Sequence, residues 1–111
     1  MRNIVPSTKA TDADVDNTDQ TLKAGPGVLM GISIYNPSNA TAYVQVFDAA
    51  SATVGTTTPD WIVGCKTLEY AHYYYGPVGI NFTTQIHYAG TTTATGNGDP
   101  STGLVVSFVY E

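Results

Sequence analysis

The sequence predicts an all-β fold: a β-sandwich of jelly-roll type, with seven or eight antiparallel strands and an extended N-terminal arm. Three observations predict it. No segment of helical length repeats its apolar residues every 3.6 positions. Short runs rich in Val, Ile, Tyr, Phe and Thr are instead broken by clusters of Gly, Pro, Asn and Thr. These runs recur at roughly the 8–12-residue spacing of a sandwich.

Residues 1 to 18 are polar and weakly patterned, as in termini that stay extended unless they dock onto something. They are assigned as an arm, and residues 19 to 111 as one sandwich domain. A short strand is expected at 21 to 24. The first clear strand covers 28 to 35, with Val28, Met30, Ile32 and Ile34 on one face and Gly31, Ser33 and Tyr35 on the other. Asn36-Pro37-Ser38-Asn39 is a turn sequence, so residues 41 to 48 are expected to return as the second arm of a hairpin. There Val44 and Val46 lie opposite Tyr43, Gln45 and Phe47. The Thr-rich stretch 49 to 59 reads as a surface connection to the other sheet.

Further strands are expected at 61 to 66, 69 to 75, 78 to 83 and 85 to 89, the Gly76-Pro77 pair breaking the middle two. Residues 90 to 103 carry too few apolar side chains to hold themselves in a core and are expected to form a mobile loop. Residues 104 to 110 close the domain, with Val105 and Phe108 expected inside, although the near-continuous apolar run hides the period.

At 111 residues the chain is long enough for one core. Its 42% hydrophobic content argues against disorder of the whole chain. Charged residues make up only 12%, against about 25% in an ordinary soluble domain, and Thr, Ser, Asn and Gly take their place. Lys and Glu are the residues depleted at interface cores, so a surface poor in both predicts extensive cover by neighbours. The net charge is −5 and the fixed cations are Arg2, Lys9, Lys23 and Lys66, which leaves no basic stripe for nucleic acid or for an anionic membrane. The chain start has no apolar signal region and no stretch approaches the ~20 apolar residues of a membrane span, so synthesis in the cytoplasm is expected. Without a secretory signal, the Asn-x-Thr sequences at Asn39 and Asn81 carry little meaning.

Catalytic motifs are hard to find. The single Cys65 excludes an internal disulfide and a multi-cysteine zinc site, and is expected as a small buried hydrophobe. The run Asp12-x-Asp14-x-Asp16-Asn17-x-Asp19 superficially matches a calcium loop, yet loop positions six and twelve hold Asn17 and Lys23 where Gly and Glu are needed. A solvated acidic arm is the better reading. His72 and His87 belong to no metal or nucleophile motif. Asp48, Asp60, Asp99 and Glu111 lie beside turns or at the chain end, and with Glu69 they set up no evident pair for glycoside hydrolysis. No catalytic residue, metal or cofactor is expected, and the chain is read as a non-enzyme.

The densest local feature is Tyr70-Ala71-His72-Tyr73-Tyr74-Tyr75. As a strand it puts Tyr73 and Tyr75 on one face and His72 and Tyr74 on the other, so that one face can be core and the other contact surface. Three readings stay open: half-buried strand formers, a protein interface, or sugar stacking with Trp61 as a helper. The interface reading takes Trp61, Tyr70, Tyr73, Tyr74 and Tyr75 as contact residues, together with Asp12, Asp14 and Asp16 of the arm.

The Tyr35-Asn36-Pro37 turn, the Tyr43-Val44-Gln45-Val46-Phe47-Asp48 strand and the Thr53-Val54-Gly55-Thr56-Thr57-Thr58-Pro59 connection resemble a motif of small structural proteins of tailed bacteriophages. Gly79-Ile80-Asn81-Phe82-Thr83-Thr84 and Thr91-Thr92-Thr93-Ala94-Thr95-Gly96 look like further parts of it, while residues 70 to 75 depart from it. The resemblance covers roughly residues 30 to 105. It implies a virion component on the outer capsid surface, a decoration or cement protein that binds the major capsid protein and associates with itself as a homotrimer. The arm could then span about 60 Å across neighbouring capsomers. The alternative is a receptor- or carbohydrate-binding module of a phage fibre or baseplate.

Overall fold

A strand whose apolar side chains alternate buries one face, and two such sheets satisfy each other by stacking. The computed structural model describes residues 6–111 and contains nine strands. They are β1 (Thr8–Val15), β2 (Gln20–Lys23), β3 (Gly27–Tyr35), β4 (Ala42–Phe47), β5 (Trp61–Cys65), β6 (Tyr70–Tyr74), β7 (Ile80–Phe82), β8 (Ile86–Thr91) and β9 (Leu104–Tyr110). One sheet runs β1-β9-β3-β6, with β7 on the other end of β3, and the second runs β2-β8-β4-β5. Every pairing is antiparallel. The expected β-sandwich is therefore present.

The pairing is nested. β1 joins β9, β2 joins β8, β3 joins β6 and β7, and β4 joins β5. A long two-stranded ribbon folded at residues 48 to 60 would give this order if its successive pairs alternated between sheets. Between the sheets lie Leu29, Ile32 and Ile34 of β3, Val44 and Val46 of β4, Ile86 of β8, and Leu104, Val106 and Phe108 of β9. Each such buried side chain contributes roughly 1.5–3 kcal/mol. Gly90 lets β8 approach the end of β1, since a Cβ there would sit 3.0 Å from both Val15 Cγ1 and Val15 O.

Several expectations need correction. β3 and β4 are not a hairpin, because β3 already has β9 on one side and β6 and β7 on the other. The Asn36 turn carries the chain to the other sheet instead. Asn36 is wholly buried, and its Nδ2 donates to Ala40 O and Cys65 O, both at 2.9 Å. Residues 48 to 60 do not change sheets but join β4 to its neighbour β5, with Val46 opposite Trp61. At the base of this connection the Asp48 N–H donates to Asp60 Oδ2 at 2.7 Å.

The arm expected at 1 to 18 is, over Thr8–Val15, the edge strand β1, paired from Thr8↔Tyr110 onward. Residues 1 to 5 lie outside the described residues. Within β3 a bulge at Met30 shifts the phase. Leu29, Ile32 and Ile34 therefore join the core cluster, and the regular series from Val28 is broken. In β9 the inner residues are Leu104, Val106 and Phe108, and Val105 faces outward, because a period of two cannot bury both Val105 and Phe108.

The expected mobile loop after β8 is held down. Gln45 Nε2 donates to Thr91 Oγ1 at 2.9 Å and to Gly96 O at 3.0 Å, and the Thr92 N–H donates to Gly98 O at 3.0 Å. Cys65 is buried as expected. Burial pushes its thiol up, and Glu69 adds to the shift.

Candidate interaction surface

Because β6 alternates, its residues divide cleanly. Ala71, Tyr73 and Tyr75 turn toward the core. The Tyr73 hydroxyl donates to Gly64 O at 2.6 Å, which ties β6 to β5 of the other sheet. Trp61 Nε1–H donates to the Tyr75 hydroxyl at 2.7 Å, and the two rings meet edge to face at 5.5 Å. Burial raises the Tyr75 phenol above its ordinary value. Trp61, Tyr73 and Tyr75 thus form a seam that closes one side of the sandwich.

Tyr70, His72 and Tyr74 point the opposite way. The register places three cross-strand rows on this outer face. Tyr70 lies beside Tyr35 and Val105, and the two tyrosine rings pack at 4.7 Å. His72 lies beside Ser33, Ser107 and Thr11. This row is polar, with 3.1 Å between His72 Nδ1 and Ser33 Oγ and 2.8 Å between Thr11 Oγ1 and Ser107 Oγ. Tyr74 lies beside Gly31, Val109 and Lys9. Since Gly31 has no side chain to cover the ring, Tyr74 is 76% exposed, and Tyr70 is 71% exposed. A shallow groove of about 190 Å³ runs between the first two rows, lined by Ser33, Tyr35, Tyr70, His72, Val105 and Ser107.

The acidic residues lie elsewhere. β1 is the edge opposite β6, so Asp12 and Asp14 stand across the sheet from the tyrosines. Asp12 is engaged: Oδ2 accepts from the Tyr88 hydroxyl at 2.9 Å and Oδ1 accepts from the Asp14 N–H at 3.0 Å. Burial, reinforced by the Asp12 carboxylate, drives the Tyr88 phenol far above its ordinary value. Asp16 accepts from the Thr18 N–H at 2.9 Å. The Asp19 carboxylate bonds His87 Nδ1 at 2.9 Å and accepts from the Ala52 N–H at 3.2 Å. Among the described residues, no group of three His, Cys, Asp or Glu is placed to hold a metal ion.

Of the residues singled out from sequence, Tyr70 and Tyr74 share one exposed surface. Trp61, Tyr73 and Tyr75 share the seam, and Asp12, Asp14 and Asp16 belong to neither. Sequence reading missed Tyr35, Ser33, Val105, Ser107 and Val109 as members of the exposed face. The alternation of β3 already set Ser33 and Tyr35 opposite Ile34, but nothing local says that β3 lies between β6 and β9.

No family model matches this chain, and no curated protein matches it either. The surface itself offers the rings of Tyr35, Tyr70 and Tyr74 with their hydroxyl tips, the aliphatic side chains of Val105 and Val109, and a polar row between them. Such a mixture suits broad, weakly ionic contact with another macromolecule.

Proposed function

We propose that this chain is a non-enzymatic structural protein of a tailed-phage virion, a decoration or cement protein that seats on the outer face of the shell built by the major capsid protein. One observation carries the reading: a whole sheet face that is tyrosine-rich and poor in charge, with Tyr70 and Tyr74 standing exposed on it. Apolar and aromatic surface of this kind marks interaction sites rather than solvent-facing ones. The phage-like motif in residues 30 to 105 supports the assignment to a virion. We read the nested ribbon as jelly-roll winding, two four-stranded layers with β7 added, which is common in viral shell proteins. The protein is made in the host cytoplasm and reaches the outer capsid surface, binding neither nucleic acid nor membrane. Self-association as a homotrimer is what the motif implies.

Purified phage particles provide the test. The protein should be recovered in numbers that scale with the capsid protein, and a Tyr70→Ala/Tyr74→Ala variant should fail to add back to stripped heads. Recovery of only a few copies, confined to the tail tip, would overturn the proposal.

The groove favours a second reading, a carbohydrate- or receptor-binding module of a fibre or baseplate. The Tyr35 and Tyr70 rings beside Ser33, Ser107 and His72 offer stacking and hydrogen bonding together. Trp61, named as a stacking helper, lies on the seam and would not take part. A glycan array without hits would remove this reading.

A further inference from the structure

We infer that β6 is a self-pairing edge: two copies of this chain join β6 to β6 in antiparallel register centred on His72, giving one sheet continuous across a two-fold axis. The inference stands independently of the capsid reading.

It starts from the backbone. The Tyr75 N–H donates to Met30 O at 2.9 Å and the Asn36 N–H donates to Glu69 O at 3.1 Å. These two bonds bracket β6 and set the phase of its ladder with β3, so Ala71 and Tyr73 bond inward. The N–H and C=O groups of Tyr70, His72 and Tyr74 therefore face away from β3, and among the described residues no other strand pairs with them. All three residues are exposed.

The other edges are less open. β1 carries Lys9, Asp12 and Asp14, and charged side chains blunt an edge against pairing. β2 has four residues, ends on Lys23 and has a register shift. β5 already gives the carbonyls of Gly64 and Cys65 to Tyr73 and Asn36. β6 contains no charged residue and no proline in Tyr70–Tyr74.

The free groups are self-complementary. Only directly opposite residues of the hydrogen-bonded class exchange both of their bonds. Centring the pair on His72 places His72 against its own copy and Tyr70 against Tyr74 of the second copy. Every free N–H then meets a free C=O. The same register brings the exposed tyrosines together as cross-strand aromatic pairs on the outer face, the kind of pair that stabilises a sheet. A partner with a different sequence could use the backbone groups but would not supply these matched rings, so the second copy is the occupant. This pairing is two-fold, in place of the threefold association that the phage-like motif implies.

Light scattering and sedimentation of the full chain test it. The expected mass is twice the 11.7 kDa of one chain. Tyr70→Lys/Tyr74→Lys sets like charges opposite each other at both ends of the interface and should weaken the dimer at least about tenfold. Tyr70→Lys/Tyr74→Glu sets opposite charges there and should restore it. Both substituted positions are exposed, so each variant should keep the wild-type circular dichroism spectrum, and only its melting at high protein concentration should follow the strength of the dimer. As an independent measurement, His72→Cys should form a disulfide between copies under mild oxidation, because directly opposite Cα atoms are about 5.5 Å apart. Cys65 is buried and stays out of that reaction. A wild-type monomer or trimer, or a dimer indifferent to the two lysines, would overturn the inference. A trimer would do so while leaving the capsid reading standing, since that reading fails on particles and not on solution mass.

Discussion

The two sheets pack against each other through similar apolar interiors, yet their outer faces are finished in opposite ways. On the β2-β8-β4-β5 sheet, two polar residues of β4 and β8 that point away from the core are buried all the same. Gln45 is wholly covered and bonds the segment that follows β8, while His87 is held between Asp19 and Gln85. On the β1-β9-β3-β6 sheet the corresponding residues include Tyr70 and Tyr74, which stand in solvent. The chain thus roofs one sheet with its own polar loop and leaves the other bare. Gln45 is buried where the loop accepts from its Nε2, His87 is buried where Asp19 and Gln85 bond its two ring nitrogens, and aromatic rings are exposed where no loop reaches. That inversion of the usual preference is the physical ground on which the bare face is proposed as contact surface.

Four experiments would break or sharpen the contrast. The largest effect is expected at the roof. Gln45→Ala strips a buried donor from Thr91 Oγ1 and Gly96 O and should cost about 2–3 kcal/mol in urea unfolding. It should also speed hydrogen exchange in residues 92 to 98. A variant as stable as wild type would mean that the roof is not held by Gln45.

Next comes Tyr88, which links the sheets through Asp12. Tyr88→Phe should cost about 1 kcal/mol at neutral pH. The phenol is raised in the folded state, so its contribution is complete below the ordinary value of 10.0 and is lost as pH climbs through the higher folded value. Wild type should therefore lose stability in strong alkali, and Tyr88→Phe should lose it less steeply in melting curves taken against pH.

A smaller effect of opposite sign is expected at Asp48. Burial works to raise this carboxyl, but hydrogen bonds from Thr83 and Thr84 outweigh it and the net shift is downward from 3.8. Its contribution is present above that value and lost as pH falls through the folded one. Asp48→Asn should flatten the acid limb of the same melting profile. The smallest stability effect belongs to the bare face: Tyr74→Ala should stay within about 0.5 kcal/mol of wild type while reducing attachment to stripped heads. A large destabilisation there would show that the ring serves this chain's own fold.

Much of the strand content was legible because local alternation encodes it. β4, β5 and β6 fall where their patterns place them, and the inner and outer sides of the tyrosine strand separate as their spacing predicts. Long-range pairing was not legible. The turn at Asn36 looks like any hairpin turn, and only the presence of two neighbours on β3 forbids that use. β1 went unseen because its Lys, Ala and Asp residues have little strand propensity, and its place beside β9 is what orders it. The loop after β8 read as mobile for want of apolar residues, but its anchor is a glutamine from a strand more than forty residues earlier. Half of the candidate surface was hidden for the same reason, since Tyr35 and Val105 join Tyr70 only through the register.

Nesting also governs the order in which the molecule can form. Thr8 meets Tyr110 across a ladder that spans nearly the whole described chain, so β1 has no partner until β9 has been synthesised. Sandwiches built on such distant contacts fold in milliseconds to seconds. The β4–β5 pair closes over the shortest connection of the nested series and can form first, with β3 and β6, then β2 and β8, adding around it. Nested in this way, the ribbon can zip from its middle outward, with β1 and β9 locking last.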